Sequence, residues 1–87
     1  MIRYTQGDGT SKSDAIKITG ARTNFDGVEA EYALIRSIFQ ILHKKWELLS
    51  QALIHEDKQS FDRLVLRDED GNVGEIWFDI TDFFNKW

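Results

Sequence analysis

FDRLVLRDEDGNVGEIWFDI, residues 61–80, holds two alternating runs joined by an acidic, glycine-bearing link. Phe61 to Arg67 and Val73 to Ile80 have the period-two alternation and the β-branched and aromatic content of strands. Asp68-Glu69-Asp70-Gly71-Asn72 has the composition of a hairpin connection, with Gly71 suited to positive φ. The register follows from the side chains, because a slip of one residue exchanges the two faces of a strand. A connection with an odd number of residues puts Leu64 and Leu66 on one face with Ile76, Phe78 and Ile80. Arg63, Val65 and Arg67 then share the other face with Val73, Glu75, Trp77 and Asp79. A two-residue link sets Arg63 and Arg67 beside Ile76 and Phe78 instead, and burying an unpaired arginine is costly. The odd register is therefore expected, supplied by a bulge at Gly71.

Working back from this hairpin, Trp46 to His55 is a third strand-like run, apolar on both parities, so both its faces are expected to be partly covered. His55-Glu56-Asp57-Lys58-Gln59 is a polar turn. Upstream lies the clearest helix. Asp26-Gly27-Val28-Glu29 fits a capping box with Asp26 at the N-cap, Glu29 at N3 and Phe25 as a staple. Val28, Tyr32, Ile35, Phe39 and Leu42 recur at helical steps, and Leu34, Ile38 and Ile41 add a second stripe. The wide apolar arc predicts a helix deeply covered by a sheet. Lys44 and Lys45 fall near its end, where cations suit the dipole. Ala15 to Thr19 reads as a strand with Ile16 and Ile18 facing in. Ile2 to Thr5 is either a short strand or a frayed end. Thr81 to Trp87 is compatible with a short helix capped by Thr81.

The predicted class is α+β: one main helix packed on an antiparallel sheet, in the order β-α-β-β-β, with a short C-terminal helix as an option. A cystatin-like arrangement has this order, and a double-stranded-RNA-binding domain has a related one. The 87 residues make one domain, 1–87, with one modest core. Cysteine is absent, which removes disulfides and thiolate metal sites. No apolar run is long enough to span a bilayer, and Met1 to Thr5 carries no leader-like segment, so a cytoplasmic home with no membrane contact is expected. The net charge of −4 argues against non-specific nucleic-acid binding and fits a basic protein partner.

Four segments invite chemical readings. GDGTSKSD, residues 7–14, has the glycines, hydroxyls and lysine of a phosphate loop. Lys12 does not follow a glycine, however, and no third glycine completes a dinucleotide fingerprint. A plain turn is the expectation, and no cofactor is expected. Asp68 to Asn72 resembles part of a calcium loop, but Leu66 and Trp77 would stand at the required ligand positions. His55-Glu56-Asp57 is a small cluster of acid–base groups or ligands without the spacing of a metal site. No catalytic or metal-binding residue is assigned. The fourth is the mixed face of the hairpin, with Phe61, Arg63, Val65, Arg67, Glu75 and Trp77. Aromatics among arginines on an exposed sheet have the composition of interface hot spots. Either a terminal segment covers this face, such as the N-terminal strand or Phe83, Phe84 and Trp87, or a partner does.

G-D-G-T-S-x-x-D-A-I-K-I-T-G-A (7–21), D-G-V-E-A-E-Y (26–32), S-Q-A-L (50–53), Asp70-Gly71 and F-D-I-T-D-F-F (78–84) together resemble small bacterial domains of no assigned function. The resemblance covers nearly the whole chain. It implies a complete bacterial domain and no catalytic residues. The sequence thus leads to a small acidic protein acting by protein–protein contact or self-association. Immunity-type proteins, phage-encoded inhibitors and accessory domains are of that kind. The alternative is a small enzyme or ligand binder using a helix/sheet cleft near His55.

Overall fold

The computed structural model describes residues 1–84. In chain order the elements are β1 (Arg3–Thr5), β2 (Ile16–Thr19), α1 (Asn24–Leu42), β3 (Trp46–Glu56), β4 (Gln59–Asp68) and β5 (Val73–Asp79). They form one helix and a five-stranded sheet in the order β1-β2-β5-β4-β3. The expected α+β pairing of one helix with one sheet therefore holds, while the expected order changes in two ways. Ile2 to Thr5 contributes a true strand, so two strands precede the helix. The sheet is also mixed, because β2 and β5 run parallel, pairing Ile16 with Phe78 and Lys17 with Asp79. The physical reason lies in the chain path. Helix α1 carries the chain from β2 to the far edge, and the meander β3-β4-β5 then returns with an odd number of strands. The strand that comes back to β2 must run in the same direction as β2.

The hairpin has the odd register. Arg63 faces Trp77, Leu64 faces Ile76 and Arg67 faces Val73. Gly71 at φ +86 lets the link close, as the Asp68 amide bonds the Asn72 carbonyl at 3.0 Å. The Asp68 carboxylate also accepts from the amides of Asp70 at 2.9 Å and Asn72 at 3.0 Å. The first acidic residue of the suspected calcium loop, Asp68, is thus used to hold its own turn.

The helix begins three residues before the expected position. Thr23 is the N-cap, and its hydroxyl accepts from the Asp26 amide at 3.1 Å. Asp26 is therefore an acidic residue of the first turn, where it suits the dipole. The helix ends as His43 enters the left-handed region at φ 55. Lys44 lies beyond it and pairs with Asp70 at 2.8 Å, tying the helix end to the hairpin tip.

Ile18, Ile35, Leu64, Phe78, Ile80 and Phe83 are the centre of the core, each fully or almost fully buried. The deep cover expected for the whole helix is confined to its first three turns or so. Ile41 and Leu42 project past the sheet and are exposed. The helix and the Phe83 turn cover one side of the sheet. Strand β3 departs most from expectation, since most of its residues are exposed rather than covered on both faces.

After β5 the chain makes one turn. The buried Asp79 carboxylate accepts from the Thr81 amide at 3.0 Å and the Thr81 hydroxyl at 2.6 Å. Asp79, not Thr81, therefore organises this turn. It drives Phe83 into the core against Gly27 of the helix. Of the suggested terminal helix, residues 85–87 lie outside the described residues.

Candidate functional site

The outer face of the sheet is built from alternate residues of β3, β4 and β5. Three of its polar groups form one cross-strand unit. Arg63 Nε donates to Glu75 Oε2 at 2.6 Å, and Trp77 Nε1 donates to Glu75 Oε1 at 2.9 Å. The Arg63 guanidinium stands 6.0 Å from the centre of the Trp77 ring. Hydrogen bonds from the Trp77 indole and then from the Arg63 guanidinium hold the Glu75 carboxyl below its usual range. Arg67 pairs with Glu47 of β3. Arg63, Val65, Glu75 and Trp77 are half-buried, while Arg67 and Val73 are exposed. The arrangement fixes an aromatic ring and a guanidinium in one orientation on an open sheet, which lowers the entropy lost on contact with a partner.

Phe61 is on this face but is buried, with its ring edge-on to Trp77 at 6.4 Å. What lies beside it is the GDGTSKSD loop. The Gly9 amide bonds the Asp14 carbonyl and the Trp77 amide bonds the Gly9 carbonyl, both at 2.8 Å. Lys12 reaches across to pair with Glu56 at the end of β3. The loop leaves a cleft of about 290 Å³ bordered by Lys12, Ser13, Ala15, Glu56, Phe61 and Asp79. Its glycines serve backbone packing: a Cβ on Gly7 would stand 1.8 Å from the Asp14 carbonyl oxygen. So the face is covered at one end by the N-terminal loop. Phe83 and Phe84 pack on the opposite, helix side, and Trp87 is outside the described residues.

The His55-Glu56-Asp57 cluster does not converge. Alternation sends His55 to the helix side and Glu56 to the outer face, while Asp57 sits in the turn at φ 51. His55 Nδ1 is 3.0 Å from Ser60 Oγ, and the His55 ring meets Phe84 edge-on at 4.6 Å. Beneath this region lies a polar group that was not singled out from the sequence. Glu31 is fully buried on the helix, and neither of its carboxylate oxygens has a hydrogen-bond partner. Its polar neighbour is Asp62 of β4, itself buried. Gln51 of β3 interacts with Asp62 and accepts from the Tyr32 hydroxyl at 3.1 Å. Burial first, and Asp62 second, push the Glu31 carboxyl up to about 10. Burial also raises Asp62, and its polar neighbours Glu31 and Gln51 work against that rise. Two ionised carboxylates can only accept, so they cannot bond each other. A proton held by Glu31 turns one of them into a donor. The signal for this pair was present, because residue 31 stands between the two apolar stripes, four residues before Ile35 and four after Gly27.

No helix among the described residues is long and apolar enough to cross a membrane. No protein-family model, curated protein or solved structure matches the chain.

Proposed function

We propose that this chain is a small non-enzymatic module that works by protein–protein contact through the outer face of its sheet. The reading is supported by one observation above the others: the helix covers one side of the sheet, and the Arg63–Glu75–Trp77 unit stands ordered on the other. The chemistry of that face suits a protein surface better than a nucleic acid, given a chain charge of −4. A basic effector is the partner that the acidic chain as a whole suits by charge, as for an immunity-type protein or a phage-encoded inhibitor in the cytoplasm, and an accessory domain is the related case.

The test uses wild type, Trp77→Ala and the remote control Ile41→Ala as baits in a bacterial lysate, with circular dichroism to establish that all three fold. A partner retained by wild type and Ile41→Ala, and lost or weakened about tenfold or more by Trp77→Ala, supports the reading, since buried aromatic anchors carry such losses. Equal recovery by all three removes the outer face from consideration.

The rival reading, a ligand or substrate in the helix/sheet cleft near His55, draws on Glu31 and Asp62. It requires the structure to open first, because Glu31 has no exposed surface.

A further inference from the structure

The two edges of the sheet are treated very differently. Strand β1 closes one edge with three residues, whereas β3 leaves the other edge open over 11 residues. An edge strand presents a row of backbone donors and acceptors, and proteins normally blunt it with brevity, charge, proline or a bulge. Strand β4 is the one neighbour of β3, and no loop among the described residues sends a backbone hydrogen bond to residues 46–56. The N-terminal part of β3 is guarded by the bulge between Leu48 and Ser50, and by Glu47. From Ser50 to Glu56 the ladder is regular. Within that stretch Leu53 is 51% exposed although it lies on the helix side of the sheet, opposite Asp62.

The regular stretch is self-complementary. An antiparallel two-fold axis through Leu53 uses all of it and stops short of the bulge. Leu53 then faces Leu53 of the second copy, Ala52 faces Ile54, Gln51 faces His55 and Ser50 faces Glu56. Apolar residues meet apolar ones, and no like charges stand opposite each other. Moving the axis to Ala52 sets Glu47 against Asp57 and runs the pairing through the bulge. Moving it to Ile54 pushes the pairing into the Asp57-Lys58 turn. Pairing about Leu53 also keeps the helix sides of both copies together, so the leucine side chains are removed from water against each other.

We infer that this edge is a self-association site, at which a second copy of the chain pairs its β3 antiparallel about Leu53 and joins the two sheets into one. The contact is small, so the association is weak, with a Kd on the order of 10–100 μM. It uses an edge distinct from the outer face, and it stands or falls independently of a partner there.

The absence of cysteine makes the register directly testable. Each single-cysteine variant from Ser50→Cys to Glu56→Cys carries one thiol. Under mild oxidation Leu53→Cys is expected to give the fastest disulfide-linked dimer. A mixture of Ala52→Cys and Ile54→Cys is expected to link across variants faster than either links to itself. In parallel, light scattering of the unmodified chain is expected to show the mass doubling with concentration, and Leu53→Lys is expected to abolish the rise. Amide hydrogen exchange on wild type, at low and high concentration, checks the same residues without relying on the lysine variant folding: protection at 50–56 is expected to grow with concentration. A mass fixed at one copy throughout overturns the inference. So does cross-linking that peaks away from residue 53, or a dimer broken by Trp77→Ala and indifferent to Leu53→Lys.

Discussion

Glu31 places two acceptor oxygens in a space that offers them no donor, and the fold tolerates this by holding a proton there. The sign of the resulting pH dependence is fixed. The folded chain binds this proton more tightly than the unfolded chain does. The stability it supports is complete below the ordinary glutamate value of 4.5 and is lost as pH rises towards about 10. Glu31→Gln carries a neutral group of the same shape at every pH. At pH 4 the variant should match wild type, and at pH 8 it should be more stable by about 1–3 kcal/mol. Urea denaturation at the two pH values checks this; equal stability at pH 8 would mean that the carboxyl ionises without cost. A carboxyl at residue 31 was hard to read from sequence, because a glutamate in a helix is ordinarily solvated. Its position between two apolar stripes was the one sign. Asp62 had the matching sign, as it shares the parity of Leu64 and Leu66 on the buried face of its strand.

At the scale of elements, the join between helix and C-terminal turn is the tightest. A Cβ added to Gly27 would come within 2.3 Å of the Phe83 ring. In an exposed helix, replacing glycine by alanine gains about 1 kcal/mol. Here overpacking should outweigh that gain, for a net loss of about 1–2 kcal/mol on Gly27→Ala. Phe83→Leu in the same chain should recover part of the loss, a coupling that a double-mutant cycle measures. Strict additivity of the two changes would refute the contact as the cause. The hairpin was legible because its arginines and isoleucines exclude one register. The helix was legible except at its start. Thr23 and Asp26 form the first-turn bond there, yet Asp26 and Glu29 offer the same spacing in sequence, and local pattern cannot choose between them. The exposure of β3 was not legible at all. An apolar edge strand and an apolar central strand have the same composition, and they differ only in what stands beside them.

For the whole molecule, the layer pair followed from period and composition, while the mixed sheet did not. Nothing in Ile16-Lys17-Ile18-Thr19 names its neighbour, and the parallel partner lies some sixty residues away in sequence. The outer-face residues were placed together correctly by the hairpin register. Sequence could not supply what covers Phe61, because the covering loop is held by backbone bonds through Gly9 and by one lysine.

That parallel pair also sets an order of events for a chain emerging from the ribosome. The hairpin of β1 and β2 is made first, but its neighbour in the sheet is the last strand to appear. Until β5 arrives, the early hairpin has no sheet to join and the helix has half a floor to pack on. A long-range closure must come before most of the apolar burial is collected, which slows folding and exposes the intermediate to association. A nascent chain ending at residue 72 should therefore show no cooperative unfolding transition and little native-like ellipticity, whereas one that includes β5 and the Phe83 turn should show both. This small domain is built to be assembled once β5 has been made rather than strand by strand.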